Sequence, residues 1–324
     1  MKILQQQEQI VRIVKDVKMH NNVHYRQLKS LEPSDYELLK KYYSLRYPGT
    51  CESVITSTYI WNIYYKSKFY INEYGLVFIY SNKDEVFTFT PLCKTEDIKA
   101  CFLDAKKYFN NVLGQKIKAY AIDEEAANCL MDLDGSFDIV EERMYFDYVY
   151  DGDKLRTLSG SKYHKKKNHV NGFLKEYGDR YECKEMTSKD KEEIFAYLDK
   201  WHSLRNIVDE YNRDDYELKG IKYLIDKCSM VDYKMFGIYV DGVLEAFSLG
   251  TYSPEEKTAY IHVEKANPNI RGLYAFVNQQ FLVNCFPDAE FVNREDDMGL
   301  EGLRHAKMSY NPIKLVKKYE IYER

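Results

Sequence analysis

The chain has 324 residues, 45% of them hydrophobic, and a formal charge of −4, a length that is large for one core and comfortable for two domains. No apolar run approaches the ~18 residues of a membrane span, and the near-balanced charge carries no global signature of nucleic-acid binding. Seven scattered cysteines without a CxxC pair, and seven histidines without ligand spacing, predict reduced thiols, a cytoplasmic location and no structural metal.

The N-terminal stretch MKILQQQEQIVRIVKDVK lacks an apolar signal core and predicts a short amphipathic helix, so export is not expected. Val23 to Leu28 is strand-like, and Pro33 to Leu45 is helical, with Ser34 and Glu37 at capping-box spacing. A second helix spans Thr50 to Tyr65, with Trp61 expected in the core. Short strands follow at Phe69 to Glu73, Leu76 to Tyr80 and Val86 to Thr90, punctuated by Tyr74-Gly75 and Asn82-Lys83-Asp84. A helix from Thr95 to Val112, a strand from Lys116 to Ala121, a helix near Asp123 to Met131 and an alternating stretch from Met144 to Tyr150 complete a mixed α/β unit.

Asp151-Gly152-Asp153 marks the expected boundary between domains 1–150 and 151–324. Beyond it, SGSKYHKKKNHVNGFLKEYG forms a helix with an apolar stripe of Tyr163, Val170, Phe173, Leu174 and Tyr177. Lys165, Lys166 and Lys167 repel one another, with no acid three or four positions away until Glu176, which suits a phosphate contact as well as a solvated face. Helices at Lys189 to Arg205 and Tyr211 to Cys228 precede a hairpin, Lys234 to Val240 and Val243 to Gly250, whose Asp241-Gly242 turn favours type I′ geometry. Strand Thr258 to Glu264, the loop Asn267 to Gly272 and a helix from Leu273 to Cys285 then place unpaired backbone N–H groups where an anion could sit.

The densest chemistry lies at residues 291–312, FVNREDDMGLEGLRHAKMSYNP. A helix over Leu300 to Tyr310 puts Leu300, Leu303, Ala306 and Tyr310 on one face, with Lys307 inside it and Arg304 at its edge. An inward lysine needs a partner, either an acid such as Glu295 or Asp296 or an anionic ligand, because desolvating it costs several kcal/mol.

Helices, an antiparallel meander, then helix, strand and helix occur in both halves, which suggests a duplicated fold. The order resembles the GNAT acyltransferase fold in tandem, as in the Fem family of aminoacyl-tRNA-dependent transferases. It is more closely similar to the phosphatidylglycerol lysyltransferase C-terminal-like family. The segments that carry the resemblance are SKYHKKKNHVNGF (161–173), IHVEKANPNIRGLYAFVNQQF (261–281) and NREDDMGLEGLRHAKMSY (293–310). It implies an α+β fold of two tandem GNAT-like (acyl-CoA N-acyltransferase) domains, with mixed, largely antiparallel sheets flanked by helices. The N-terminal copy, where the strand ending at Thr90 runs into Pro91-Leu92-Cys93 with no glycine, is expected to lack the donor site.

What the resemblance implies about function is an acyltransferase with no tightly bound cofactor. It would carry an aminoacyl group from aminoacyl-tRNA to an amine or hydroxyl of an anionic lipid or small molecule. An acyl-CoA-dependent N-acyltransferase, and a non-catalytic module that binds RNA or protein in the same cleft, remain alternatives. Glu264 is the candidate base, with an ion pair to Lys265, Arg294 or Arg304 as its structural alternative, and Tyr310 is the candidate acid, with a buried core tyrosine as its structural alternative. Lys165, Lys166, Lys167, Arg271, Gly272, Arg304 and Lys307 are candidates for holding the donor. His262, expected on the strand face of Glu264, and Asn293, Arg294, Glu295 and Asp296 are candidates for holding substrate. Asn269 and Tyr274 depart from the Q/R-x-x-G-x-G/A pattern of GNAT cofactor loops, which favours tRNA over coenzyme A as donor.

Overall fold

The computed structural model describes residues 27–133, 135–204 and 213–324. The amphipathic helix expected at the N-terminus lies outside them, as does most of the strand expected at Val23 to Leu28. Strands β1 (Lys29–Ser30), β2 (Lys68–Ile71), β3 (Gly75–Ser81) and β4 (Val86–Phe87) form an antiparallel sheet in that order, and β5 (Leu92–Cys93) also pairs with β3. β3 is buried on both faces. Leu76, Phe78 and Tyr80 join one core, whereas Val77 and Ile79 join another with Ile98, Cys101, Phe102, Ala105 and Phe109 of helix Ile98–Asn111. The helix supplies those five residues at the spacing of one helical stripe, which is why it docks flat on the sheet.

In the C-terminal half, β8 (Asp147–Asp151), β9 (Tyr181–Met186), β10 (Lys234–Val240), β11 (Val243–Ser253), β12 (Thr258–Ala266), β13 (Phe291–Asn293) and β14 (Lys314–Val316) make one sheet. Its order is β14-β8-β13-β12-β11-β10-β9, antiparallel throughout except between β12 and β13. Asp241 (φ 51°) and Gly242 (φ 76°) both adopt the positive φ of a type I′ turn. Helix Leu273–Cys285 has the bounds expected of it.

Two strands cross the expected division at residue 150. β8 starts before it and runs through it, yet lies between β14 and β13, while β15 (Lys318–Glu323) returns to the first half to sit between β6 (Lys118–Asp123) and β7 (Phe137–Glu141). Asp151-Gly152 is a helix cap: Asp151 accepts from the Lys154 N–H, and a Cβ on Gly152 would come within 2.2 Å of the Ala289 carbonyl oxygen. β7, β9 and β15 carry no clean alternation of burial, so their ladders define them.

Several local expectations are corrected. The first capping box uses Glu32 and Asp35, two residues earlier than Ser34 and Glu37. Trp61 is half-buried against the core. Met144 to Tyr150 opens as a 3₁₀ turn, Arg143–Tyr145, before the strand starts at Asp147.

The halves share one core, in which Tyr59 and Ile60 of helix Ile55–Tyr65 pack with Leu218, Ile221 and Leu224 of helix Arg213–Lys227. The helices meet at Gly220, where an added Cβ would lie 1.8 Å from the Ile60 carbonyl oxygen. Gly220→Ala is therefore expected to cost about 1–3 kcal/mol, the usual range for overpacking, as measured by urea denaturation. An unchanged midpoint would refute the tight crossing.

Candidate functional site

The site begins where the parallel pair comes apart. β12 and β13 stay in register for three pairs, Thr258 with Phe291, Ala259 with Val292 and Tyr260 with Asn293. β12 then runs on to Ala266, whereas the chain after β13 follows β8: Arg294 N–H donates to the Tyr148 carbonyl, and Tyr148 N–H donates to that of Glu295. That divergence opens a splay, and polar side chains fill it. Arg294 Nη2 donates to Glu264 Oε1 and Asn278 Nδ2 to Glu264 Oε2, both at 2.8 Å. Glu264 and Arg294 each keep 12% of their side-chain surface exposed, so solvent still reaches the pair.

Arg294 also lies over the Tyr310 ring at 4.7 Å, and Lys166 Nζ lies over the same ring at 3.9 Å. Burial pushes the Tyr310 hydroxyl up to about 12, which keeps it a proton donor at neutral pH. Burial, then repulsion by Arg294, brings the Lys166 ammonium down to about 8. Arg294 Nη1, Asn278 Oδ1 and Ser248 Oγ, the last from the residue opposite Glu264 on β11, are buried without a hydrogen-bond partner. Each such group costs about 1–3 kcal/mol when left unmade. Three of them around one carboxylate form a polar lining that a ligand carbonyl and N–H could satisfy.

His262 does not share that face. The ladder pairs Leu249 with Val263 and Gly250 with Ile261, so His262 is the extra residue of a β-bulge. The bulge breaks the two-residue alternation and turns His262 toward the N-terminal half, away from Asn278. There Nδ1 meets Glu295 Oε1 at 2.8 Å and Nε2 meets Thr251 Oγ1 at 3.2 Å, and Thr251 donates to Thr56. Glu295 holds this position with φ at 58°, a conformation that costs a non-glycine residue free energy.

The helix after β13 also departs in part from its expected stripe. It spans Glu301–Met308; Lys307 and Tyr310 are buried, in keeping with that stripe, but Leu300 is 52% exposed and Ala306 is exposed too. Lys307 Nζ donates to the backbone carbonyls of Arg294 and Asp296 rather than to a carboxylate. Arg304 and Arg143 both pair with the buried Asp297. Arg304 and Lys307 thus tie down the 294–297 turn that presents Arg294.

Behind this turn lies a charge cluster that joins the halves. Lys318, fully buried, meets Asp147 Oδ1 at 2.8 Å and Glu52 Oε2 at 2.6 Å. Asp147 Oδ2 accepts from the Cys51 N–H at 2.7 Å and from Asn293 Nδ2 at 3.0 Å. Asn293 is wholly buried and caps the turn by accepting from Glu295 N–H. Burial pushes the Glu52 and Asp296 carboxyls up, to about 7 and about 6.

An acid whose folded pKa is raised stabilises below its unfolded value and loses that contribution as pH rises through the folded one. Asp296→Asn is accordingly expected to match the parent at pH 4 and to exceed it by about 3 kcal/mol at pH 8, at roughly 1.4 kcal/mol per unit. Denaturation midpoints of the two proteins across that range test this, and a constant difference would refute it.

Of the basic helix, realised as His164–Tyr177, Lys165 and Lys167 are exposed and Lys166 turns into the splay. Leu174 is exposed, although the apolar stripe placed it inside. Arg271 is exposed, and a Cβ on Gly272 would lie 2.2 Å from the His169 carbonyl oxygen, so the basic helix packs directly on the start of helix Leu273–Cys285. Asn278, Ser248, Tyr150, Cys51, Glu52, Asp147 and Lys318 were not among the candidates. Asn278 alone carried a signal, as an amide three and four positions before the apolar Phe281 and Leu282 of the same helix.

The strand order, with one parallel pair that splays beside a helix, defines a tandem GNAT fold, and among the described residues no helix is long and apolar enough to cross a membrane. The family described as "Phosphatidylglycerol lysyltransferase, C-terminal" matches residues 47–322. The chain belongs to that family, whose fold is that of acyltransferases. A protein of unknown function from Bacteroides thetaiotaomicron VPI-5482 is similar over 93% of this chain and 100% of its own, at 25% identity and a TM-score of 0.83. L-PGS from Bacillus licheniformis shares the fold over 90% of this chain and 93% of its own, at 14% identity and a TM-score of 0.64. An uncharacterized protein of Mycoplasmoides gallisepticum is 26% identical over 173 residues, which spans 53% of this chain and 54% of that relative.

Proposed function

We propose that this protein transfers an aminoacyl group from aminoacyl-tRNA to an amine or hydroxyl acceptor, with the β12/β13 splay of the C-terminal half as the reaction centre. The observation that carries this is the Glu264–Arg294 pair set in the splay among unpartnered polar atoms. The acceptor attacks the ester carbonyl and loses a proton to Glu264, the oxyanion forms beside Arg294, and the carbon–oxygen bond to the ribose breaks as Tyr310 protonates the leaving oxygen. Lys165 and Lys167 contact the acceptor-strand phosphates, and Lys166 stands nearest the ester. The packing of the basic helix on Gly272 leaves the loop a poor cradle for a pyrophosphate, which supports tRNA over coenzyme A as donor. Asn293, Glu295 and Asp296 shape the wall toward the N-terminal half, where the acceptor enters.

The test is transfer of label from charged total tRNA, with binding followed against salt. Lys165→Ala with Lys167→Ala is expected to weaken binding of charged tRNA and to flatten its logarithmic salt slope by about 2. Binding of acetyl-coenzyme A with no response to charged tRNA would replace this donor by a thioester. RNA binding without any transfer would make the protein a binding module.

A further inference from the structure

The N-terminal half has a splay of its own. Thr88 forms a single parallel bridge with Ala119, through Thr88 N–H to the Lys118 carbonyl and Tyr120 N–H to the Thr88 carbonyl. The chain beyond Thr88 then leaves β6 and returns to β3 as β5. A narrow cleft open to solvent lies at this divergence and is lined by Tyr42, Tyr80, Phe89, Glu52, Arg46 and Asp123, among others.

Its charges are unevenly spent. Arg46 gives both terminal nitrogens to Asp123 at 2.7 Å and a further contact to Glu125 at 3.1 Å, so its cation is fully engaged. Glu52 shares Lys318 with Asp147, which sets two carboxylates against one ammonium. Its carboxyl also lies within 4.8 Å of the Asp296 carboxyl. The cleft is thus walled by aromatic rings and short of positive charge, the combination that recognises ammonium groups. A carboxylate acceptor among rings favours a cation that carries N–H donors over a quaternary one.

We propose that this cleft binds a primary alkylammonium ion, held by the Glu52 carboxylate among the Tyr42, Tyr80 and Phe89 rings. The site needs no transfer chemistry, so it stands or falls apart from the acyltransferase proposal. Bound cation offsets the burial that raises the Glu52 carboxyl, so binding strengthens as pH rises from 6 to 8.

The experiment is calorimetric titration of the full chain with n-butylammonium chloride, with n-butanol and matched sodium chloride as controls. Saturable binding of butylammonium but not butanol is expected, tighter at pH 8 than at pH 6. Glu52→Gln should weaken it by about tenfold, and Tyr42→Leu or Phe89→Leu by roughly two- to tenfold. Absence of saturable binding, equal binding of butanol, or unchanged affinity in Glu52→Gln would overturn the proposal. Should Glu52→Gln not fold, Tyr42→Leu, which lies away from Lys318, decides together with the pH series. Weakened binding that still tightens with pH supports the site, and no effect in either arm overturns it.

Discussion

Glu264→Gln is expected to lower the rate of aminoacyl transfer by about 10²–10⁴-fold, the usual worth of a positioned general base, with little change in affinity for charged tRNA. Glutamine keeps an acceptor for Arg294 Nη2 or Asn278 Nδ2, so the splay retains its shape while the proton acceptor is lost. The split between the two readouts is what matters. A fall in kcat at constant KM for charged tRNA places Glu264 in the chemical step. A parallel loss of folding stability with unchanged kcat would instead make Glu264 an anchor for Arg294, and the base would have to be sought elsewhere. Tyr310→Phe gives the companion measurement, since it removes the hydroxyl and leaves the ring that carries Arg294 and Lys166.

Lys318→Met is expected to destabilise the fold by about 3–5 kcal/mol at neutral pH, the range for removing one partner of a buried ion pair. Without the ammonium, Asp147 and Glu52 are left as facing carboxylates in a site where Lys318 and Asp147 have no exposed side-chain surface. Burial opposes the charge on Lys318, yet Asp147, Cys51 and Glu52 outweigh it and hold the ammonium well above its ordinary value. Urea denaturation measures the loss. Asp147→Asn in the same chain should recover part of it, because it removes one of the two stranded charges while retaining acceptors for Cys51 N–H and Asn293. A loss below about 1 kcal/mol would show that the cluster relaxes into solvent. Since Lys318 opens the strand that returns to the first half, the same residue joins the two halves and fixes the wall of the candidate site.

The secondary structure was legible where its signals are local. Asp241-Gly242 forced the hairpin, and helix Leu273–Cys285 followed from its apolar run after Gly272. The three segments that carried the family resemblance also hold Lys166, Glu264, Asn278, Arg294 and Tyr310, which the fold brings to one splay. His262 shows where legibility stopped. Alternation along β12 predicted one face for His262 and Glu264, but the bulge depends on how β11 pairs at Leu249 and Gly250. Periodicity within one strand holds no record of its partner's register. Lys307 is similar: its inward placement was readable on a helical wheel, but its carbonyl acceptors depend on the turn that β8 imposes on Arg294 to Asp296.

The sequence by itself determined the helices, the hairpin, the duplicated order and the family, but not β7, β9 or β15, because propensity, turn chemistry and helical spacing act over a few residues. The tertiary structure alone decided the exchange of β8 and β15 between the halves, the splay of β12 from β13 and the burial of Lys318 between Asp147 and Glu52. Each is a contact between residues far apart in the chain, and hydrogen-bond ladders and desolvated charges choose such partners only once the sheets have formed.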